Sequence, residues 1–488
     1  MSAGEMLIAA LLLPLVGGCL LVFVGRWPNV REAVSILTGV ALFALVLQLP
    51  AFVPTYVLAE PAPGFTLAFH VEPLGLAFAL LASFLWIVTT IYAIGYMRGH
   101  QEKNQTRFYF WFAFAISAVM GVAFSANLLT LFVFYEVITL ATWPLVTHSQ
   151  TSEAKSSGRT YLGILMGTSM GFFLLAIGVI WSLTGSLDFK VGGVFDDDTS
   201  PVTMAILYAL FVFGVGKAAL MPFHRWLPAA MVAPTPVSAL LHAVAVVKAG
   251  VFTIIKGTVY LFGIDRLSST GANEYLLPVA AITIVLASLI AMRQDNLKAR
   301  LAYSTISQLS YIVLGALLAN VVGVVAAAMH LVMHAFAKIT LFFCAGAIMV
   351  ASHKTEISDM RGLGRKMPFT MAAFTIGALA IIGLPPLGAM WSKWYLVMGV
   401  VEEQYWSILA VLVISTLLNV AYLLPIPVRA FIEDGEGVGT GDSADDSAGI
   451  KEAPWPCLLA MGITASGCFV LFFYAPELMT FLAGGLAR

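Results

Sequence analysis

Charged residues are scarce in this 488-residue chain: Asp, Glu, Lys and Arg together make up 10% of it, against about 25% in soluble domains. Polar linkers are scarce too, and a soluble chain of this length would need them between domains, because single cores stop growing beyond ~250–300 residues. A soluble fold is excluded. The charges nearly cancel, 25 basic against 26 acidic, which leaves no basic stripe and excludes nucleic acid as a partner. The four cysteines, Cys19, Cys344, Cys457 and Cys468, lie singly in apolar runs with no CxxC or Cys/His cluster. They read as small buried hydrophobes, so redox chemistry, a metal site and a bound cofactor are not indicated.

What the chain has in abundance is apolar residues, 60% of the total. Runs of the ~20 residues needed to span a bilayer occur fourteen times, which predicts an all-α polytopic membrane protein. Lys and Arg sort into alternate loops. Seventeen fall in one set, including Arg26, Arg98, Lys103, Arg107, Arg293 and Arg361, and three, Lys190, Arg266 and Arg488, in the other. Cytoplasmic loops carry the basic excess, so an even span count places both termini outside. The first span follows Glu5 with no basic segment ahead of it and reads as a retained helix.

Spans four to eight (108–262) and nine to thirteen (274–430) resemble each other in spacing, at an offset of about 170 residues. Five spans per copy is odd, so the second copy enters from the opposite face and the repeat is inverted. Both copies are broken at matching places: span seven at Met221-Pro222 and Pro228, span twelve at Gly383-Leu384-Pro385-Pro386-Leu387-Gly388. Proline removes a backbone donor, so the freed carbonyls must be buried in protein or line a cavity. Helices one to three (1–107) precede the repeats; an acidic, Gly/Ser-rich loop over 431–454 and a last helix within 455–488 follow.

Ionisable side chains inside spans are costly and mark function by default. Glu136 lies about ten residues into span five. Lys217, just ahead of the break in span seven, is its expected partner, and a carboxylate and a lysine whose separation changes can load and release a proton. Lys248 lies deep in span eight. His242, six residues earlier, reads equally as a packing residue and as a carrier. Lys256, near the outer end of the same span, is expected to snorkel. In span eleven His330, His334 and Lys338 recur at i, i+4 and i+8, one helix face with about 6 Å between steps. That is a proton-wire spacing. Metal ligation by the two histidines would need a third ligand, and none is evident. Lys393 follows the break in span twelve and answers Lys217. His224 and Arg225 at the first break suit a capping or loop role as well as transport. Tyr303, Ser304 and Ser307 suit water held between charges, or bonds to the preceding turn. Gly167 and Gly171 are expected to mark close helix packing.

The stretches FYEVITLATWPLV, GKAALMPFHRWLPAAMVAPTPVSALLHAVAVVKAG, LKARLAYSTISQLSYIVLG, MHLVMHAFAKITLFF and IIGLPPLGAMWSK resemble the proton-conducting antiporter-like family. It comprises membrane-arm subunits of respiratory complex I, those of membrane-bound hydrogenases, and the large subunits of Mrp-type cation/proton antiporters. The resemblance covers roughly residues 70 to 430. It implies fourteen helices in two inverted five-helix repeats, with discontinuous helices seven and twelve. By resemblance, Glu136 and Lys217 match the family's first-channel pair, Lys248 the linking residue, His330, His334 and Lys338 the helix-eleven relay, and Lys393 the exit-side lysine. The histidine-rich helix eleven departs from the family pattern. Length and wording are most similar to the D-type subunits of Mrp antiporters.

The resemblance implies a proton-translocating subunit of a hetero-oligomeric Na⁺/H⁺ antiporter in a bacterial inner membrane, a secondary transporter and not an enzyme. Its partners would be the other Mrp-type subunits, protons and Na⁺, and the lipid bilayer. The rival reading is a subunit of a redox-driven complex I-like or hydrogenase assembly. The topology is checked by single cysteines in a chain with Cys19→Ser: Ser269→Cys should label from outside intact cells, and Gln150→Cys only after permeabilisation. The reverse pattern would overturn the orientation.

Overall fold

The computed structural model describes residues 2–433 and 449–486, so most of the acidic loop expected over 431–454 lies outside the described residues. The first seven spans are α1 (Ala3–Val24), α2 (Pro28–Leu47), α3 (Pro73–Gly99), α4 (Gln105–Ala123), α5 (Leu128–Val146), α6 (Ser152–Thr184) and α7, whose first arm is Pro201–Gly214. The rest are α8 (Thr235–Phe262), α9 (Glu274–Arg293), α10 (Leu297–Leu317), α11 (Val321–Ser352), α12 with arms Pro368–Ile382 and Ala389–Glu402, α13 (Trp406–Ile432) and α14 (Trp455–Phe473). Eleven of these are long and apolar enough to cross a membrane. The other three are the two broken helices, whose arms are short, and α10, which is long but carries Ser, Thr, Gln and Tyr along its length. Together they are the fourteen spans the hydropathy pattern predicts.

One element departs from a purely helical fold. Residues between α2 and α3 form an antiparallel pair, β1 (Val53–Ala62) and β2 (Phe65–Val71). Val, Tyr, Phe and Thr favour strands, and the run is too short and too interrupted by Pro54 and Pro61 to make a span. The pair continues through a bridge from Phe69 to Ser125 onto the loop ahead of α5.

The break in α7 begins earlier than Met221-Pro222. Helical geometry ends at Gly214, a 3-10 turn covers Gly216–Ala218, Ala219 takes a φ of +56°, and a short helix resumes at Trp226–Ala229. A proline ring crowds the carbonyl four residues before it and disfavours helix in the preceding residue, so the distortion spreads a turn upstream. Lys217 therefore sits in the break itself. In α12, Gly383 ends the first arm at a φ of +93°, which glycine adopts without a Cβ penalty.

α8 is wholly enclosed and α11 lies against α3, α8, α10, α12 and α14, so these two helices form the centre of the bundle. α1, α2 and α13 keep apolar faces outward. Against expectation, Gly167 and Gly171 are exposed on α6, and a Cβ on either would meet nothing within 4 Å. One close approach is at Gly250 in α8, where a Cβ would lie 2.4 Å from backbone atoms of Lys217 and Ala218. Gly250→Ala should cost about 1–3 kcal/mol through forced displacement of the α7 break, and Gly167→Ala should be neutral. Thermal unfolding of the detergent-purified protein measures both; equal effects would refute this packing account.

Candidate functional site

The breaks create the polar ends that the lysines serve. Lys217 lies in the α7 break with its N–H donating to the Tyr135 hydroxyl at 3.1 Å. Its ammonium donates to Thr139 Oγ1 at 2.6 Å and sits 3.2 Å from the centre of the Tyr135 ring. Trp226 Nε1 donates to the carbonyl of Gly216 at 3.0 Å. Glu136 lies on α5 between those two partners in sequence, and both its carboxylate oxygens are buried without a hydrogen-bond partner. Among the described residues, Glu136 forms no ion pair. The expected Glu136–Lys217 pair is thus open, with the lysine held a turn away on the helix that carries the acid. Thr139 holds it there because a hydroxyl satisfies an ammonium without requiring a second buried charge.

Across the centre, Lys248 Nζ lies 2.7 Å from His334 Nδ1. The rings of His334 and His330 stack at 5.7 Å between centroids, as their one-turn spacing on α11 requires. His330 Nδ1 lies 2.8 Å from Ser392 Oγ and Nε2 lies 3.2 Å from Gln308 Oε1. Ser392 precedes Lys393, whose ammonium donates to the carbonyls of Ile381 and Ile382 at 2.7 and 3.1 Å. These are carbonyls that the α12 break sets free. Tyr311 joins the two ends of this stretch: its ring is 5.9 Å from that of His330 and 5.1 Å from the Lys393 ammonium.

The three groups on α11 do not form one row. Lys338 shares their stripe but turns its ammonium to Ser304 Oγ at 2.7 Å, towards α10. His242 is fully buried against the Phe342 ring, 4.6 Å between centroids, with both nitrogens unpartnered. It lies in Leu240–Val244, a five-residue wide turn inside α8; such turns displace side chains from the regular helical stripe. Ser307 bonds Ser288 and the Ile284 carbonyl, a packing role. The His224 ring lies 6.4 Å from that of Tyr303.

Lys256 does not snorkel. It is buried, 2.7 Å from Glu72 Oε1, and donates to the Ser125 carbonyl at 2.7 Å. α8 is enclosed along its length, so no interface lies within reach of its outer end. Glu72 escapes notice in the sequence because a charge at a span boundary reads as solvated; only the fold puts it under β2 and against α8. Thr139, Gln308, Ser392 and Tyr311 were likewise not anticipated, as single polar residues in apolar helices carry no signal beyond their type.

On the face carrying the basic loops, a cavity of about 270 Å³ is lined by His100, Glu102, Lys298 and Lys354, among others. His100 Nε2 is 3.9 Å from Glu102 Oε1, and burial holds the Glu102 carboxyl above the ordinary carboxylate range. Among the described residues no group of three or more His, Cys, Asp and Glu is placed to hold a metal ion.

The profile of the family described as "NADH:quinone oxidoreductase/Mrp antiporter, TM" matches residues 125–419. A similar protein is NADH-quinone oxidoreductase subunit N of Desulforudis audaxviator, 33% identical over 385 residues, which cover 78% of this chain and 75% of that one. The chain spans about half the length of the NAD(P)H-quinone oxidoreductase subunit 5 proteins it also matches. In fold it is similar to a chain of the Mrp complex from Dietzia sp. DQ12-45-1b, at a TM-score of 0.84 and 20% identity over 100% of this chain and 97% of that one. A chain of an archaeal membrane-bound sulfane sulfur reductase matches at 0.83 and 21%, over 99% and 98%.

The Glu72–Lys256 contact yields a stability test. Lys256→Met leaves a buried carboxylate unpaired and should destabilise by about 3–5 kcal/mol, whereas Glu72→Gln/Lys256→Met should recover most of that loss. Thermal unfolding of the two variants reads the difference, and a double variant no more stable than Lys256→Met would mean the pair is not coupled.

Proposed function

The chain belongs to the NADH:quinone oxidoreductase/Mrp antiporter transmembrane family, and from that membership we propose that it is the proton-translocating subunit of a multisubunit Na⁺/H⁺ antiporter. The observation that carries the reading is the sequence of contacts from Lys248 on α8 through His334 and His330 on α11 to Ser392 on broken α12, where Lys393 is the next residue. A neutral imidazole accepts on one nitrogen and donates on the other, so a proton at Lys248 passes directly to His334; His334 Nε2 has no hydrogen-bond partner and meets His330 by ring stacking alone, so the onward step to His330 takes a bridging water or a turn of the ring. Intramembrane ionisable groups in such an order are the pattern of a proton relay.

Glu136 and Lys217 act as the loading end. Closing their open pair favours both charged forms, and opening it disfavours them, so a motion of the α7 break changes the readiness of Lys217 to give up a proton. The Glu102 cavity supplies the mouth on the basic-loop face, which the positive-inside rule makes cytoplasmic. Lys393, bound to the free carbonyls of α12, serves the outer end. In this reading the protein sits in a bacterial inner membrane, with both termini outside. It works with other Mrp-type subunits, and the Na⁺ path lies with one of them.

A second reading has a specific observation in its favour: the similarity to a protein named NADH-quinone oxidoreductase subunit N. There the same relay would be driven by redox chemistry in another subunit. The deciding experiment is proton flux in vesicles carrying the native complex with no redox substrate. Flux on adding Na⁺, lost in Glu136→Ala and in Lys248→Met with assembly intact, is the expected result. Flux only after a redox substrate is supplied would transfer the protein to the second reading, and flux unaffected by both substitutions would remove these residues from the path.

A further inference from the structure

Lys217 is held from two sides. Its ammonium rests on Thr139 of α5 at 2.6 Å, and the residue before it, Gly216, gives its carbonyl to Trp226 Nε1 at 3.0 Å. These two holds are joined to each other. The Trp226 ring meets the Tyr161 ring edge-on, 5.5 Å between centroids, and the Tyr161 hydroxyl lies 2.6 Å from Thr142 Oγ1 on α5. Thr142 spends its own proton on the Ile138 carbonyl at 2.6 Å, so Tyr161 donates to Thr142. From Lys217 to Thr139, along α5 to Thr142, across to Tyr161 on α6 and back through Trp226 to Gly216, the contacts close a ring around the α7 break. Thr139, Thr142, Tyr161 and Trp226 are all buried.

Hydroxyls and an indole N–H are costly in a dry bundle unless they are bonded, and here their bonds all go to one loop and to the helix that faces it. α6 backs that loop closely: a Cβ on Gly216 would lie 2.2 Å from Thr168 Oγ1, and one on Gly214 would lie 2.4 Å from the Phe173 nitrogen. A shift of the break away from α6 therefore strains the Trp226–Gly216 bond. On α5, Thr139 stands three residues after Glu136, a neighbouring position on one helix face, and the flexible lysine stem reaches either. Both Glu136 oxygens are buried without a partner. A buried carboxylate attracts an ammonium more strongly than a hydroxyl does, so the rest position on Thr139 needs a restraint, and the ring of contacts supplies one.

We propose that Thr139, Tyr161 and Trp226 are positioning residues that hold Lys217 off Glu136. Thr139 docks the ammonium, and the Tyr161–Trp226 brace keeps the α7 break at its distance from α5. The inference deepens the proton-translocating reading and rests on it. Release of Gly216 by Trp226 lets Lys217 leave Thr139 for Glu136, which is the closing of the pair. None of the three residues gives up a proton in this step; they set where the lysine stands when it does.

Cryo-EM of the native complex reads the position of the lysine directly. In Thr139→Val, which keeps the volume and removes the hydroxyl, Lys217 Nζ should move to within ion-pair distance of Glu136. Trp226→Phe, which removes the indole N–H, should produce the same move with Thr139 still in place, so each variant tests the proposal separately. Loss of one hydrogen bond to a charged group shifts the ratio of open to closed pair by about tenfold, and Na⁺-driven proton flux in vesicles should fall by a similar factor in Thr139→Val. Thr139→Ser restores the hydroxyl and should recover most of that flux, with assembly unchanged in all variants. A lysine that stays clear of Glu136 in both Thr139→Val and Trp226→Phe overturns the proposal, as does a Thr139→Ser variant no more active than Thr139→Val. The lysine position is read without transport, so wild-type vesicles that moved no protons would count against the functional reading while the positional result stood by itself.

Discussion

A membrane helix that breaks exposes backbone carbonyls where no water is present to bond them, and satisfying those carbonyls is the constraint on which this molecule depends. In α12 the carbonyls of Ile381 and Ile382 are taken by the Lys393 ammonium. In α7 the Gly216 carbonyl is taken by Trp226, and the neighbouring Lys217 N–H by Tyr135. The break thus does two things at once: it creates an acceptor site in the middle of the bundle, and it gives a buried lysine a reason to stay there. Isolated charges at that depth cost several kcal/mol or more, so a lysine with carbonyl or hydroxyl partners is the form in which the bundle tolerates a mobile proton.

The polar partners are mostly neutral. Lys217 has Thr139, Lys248 has His334, Lys338 has Ser304 and Lys393 has two carbonyls. Full ion pairs would hold charge in place, because separating them leaves two uncompensated ions. The contrast is Glu72–Lys256, which is closed at 2.7 Å and braces β2, the loop ahead of α5 and the end of α8. Closed pairs fasten the periphery, and open or neutral contacts line the centre. Both follow from the same desolvation cost, applied where rigidity or exchange is needed.

The family unites antiporters with redox-driven complexes, and the arrangement seen here explains how one membrane subunit suits both. In the proposed reading the relay requires no particular energy source: a change in the α7 break, whether driven by cation movement or by a partner's chemistry, would alter the Glu136–Lys217 separation and so the loading of the path. On that reading, specificity for the driving process would lie in what touches the bundle from outside, where α1, α2 and α13 present apolar faces.

Span number, the two broken helices, and Glu136, Lys217, Lys248, His330, His334, Lys338 and Lys393 as ionisable groups within the spans were legible in the amino-acid order, because the bilayer imposes length and apolarity on each span and makes every intramembrane charge conspicuous. Contacts were not legible. That Lys338 turns from the histidines to Ser304, that Lys256 meets Glu72, that Gly250 packs on a neighbouring backbone while Gly167 does not, and that Gln308, Ser392 and Tyr311 join the network all depend on which helix faces which. The sequence by itself determined the inventory of charges and the places where helices must fail, since both follow from local chemistry against a hydrocarbon solvent. Tertiary structure alone decided the pairings, because hydrogen bonds of about 3 Å depend on the packing of residues dozens to hundreds of positions apart, and no local pattern encodes that.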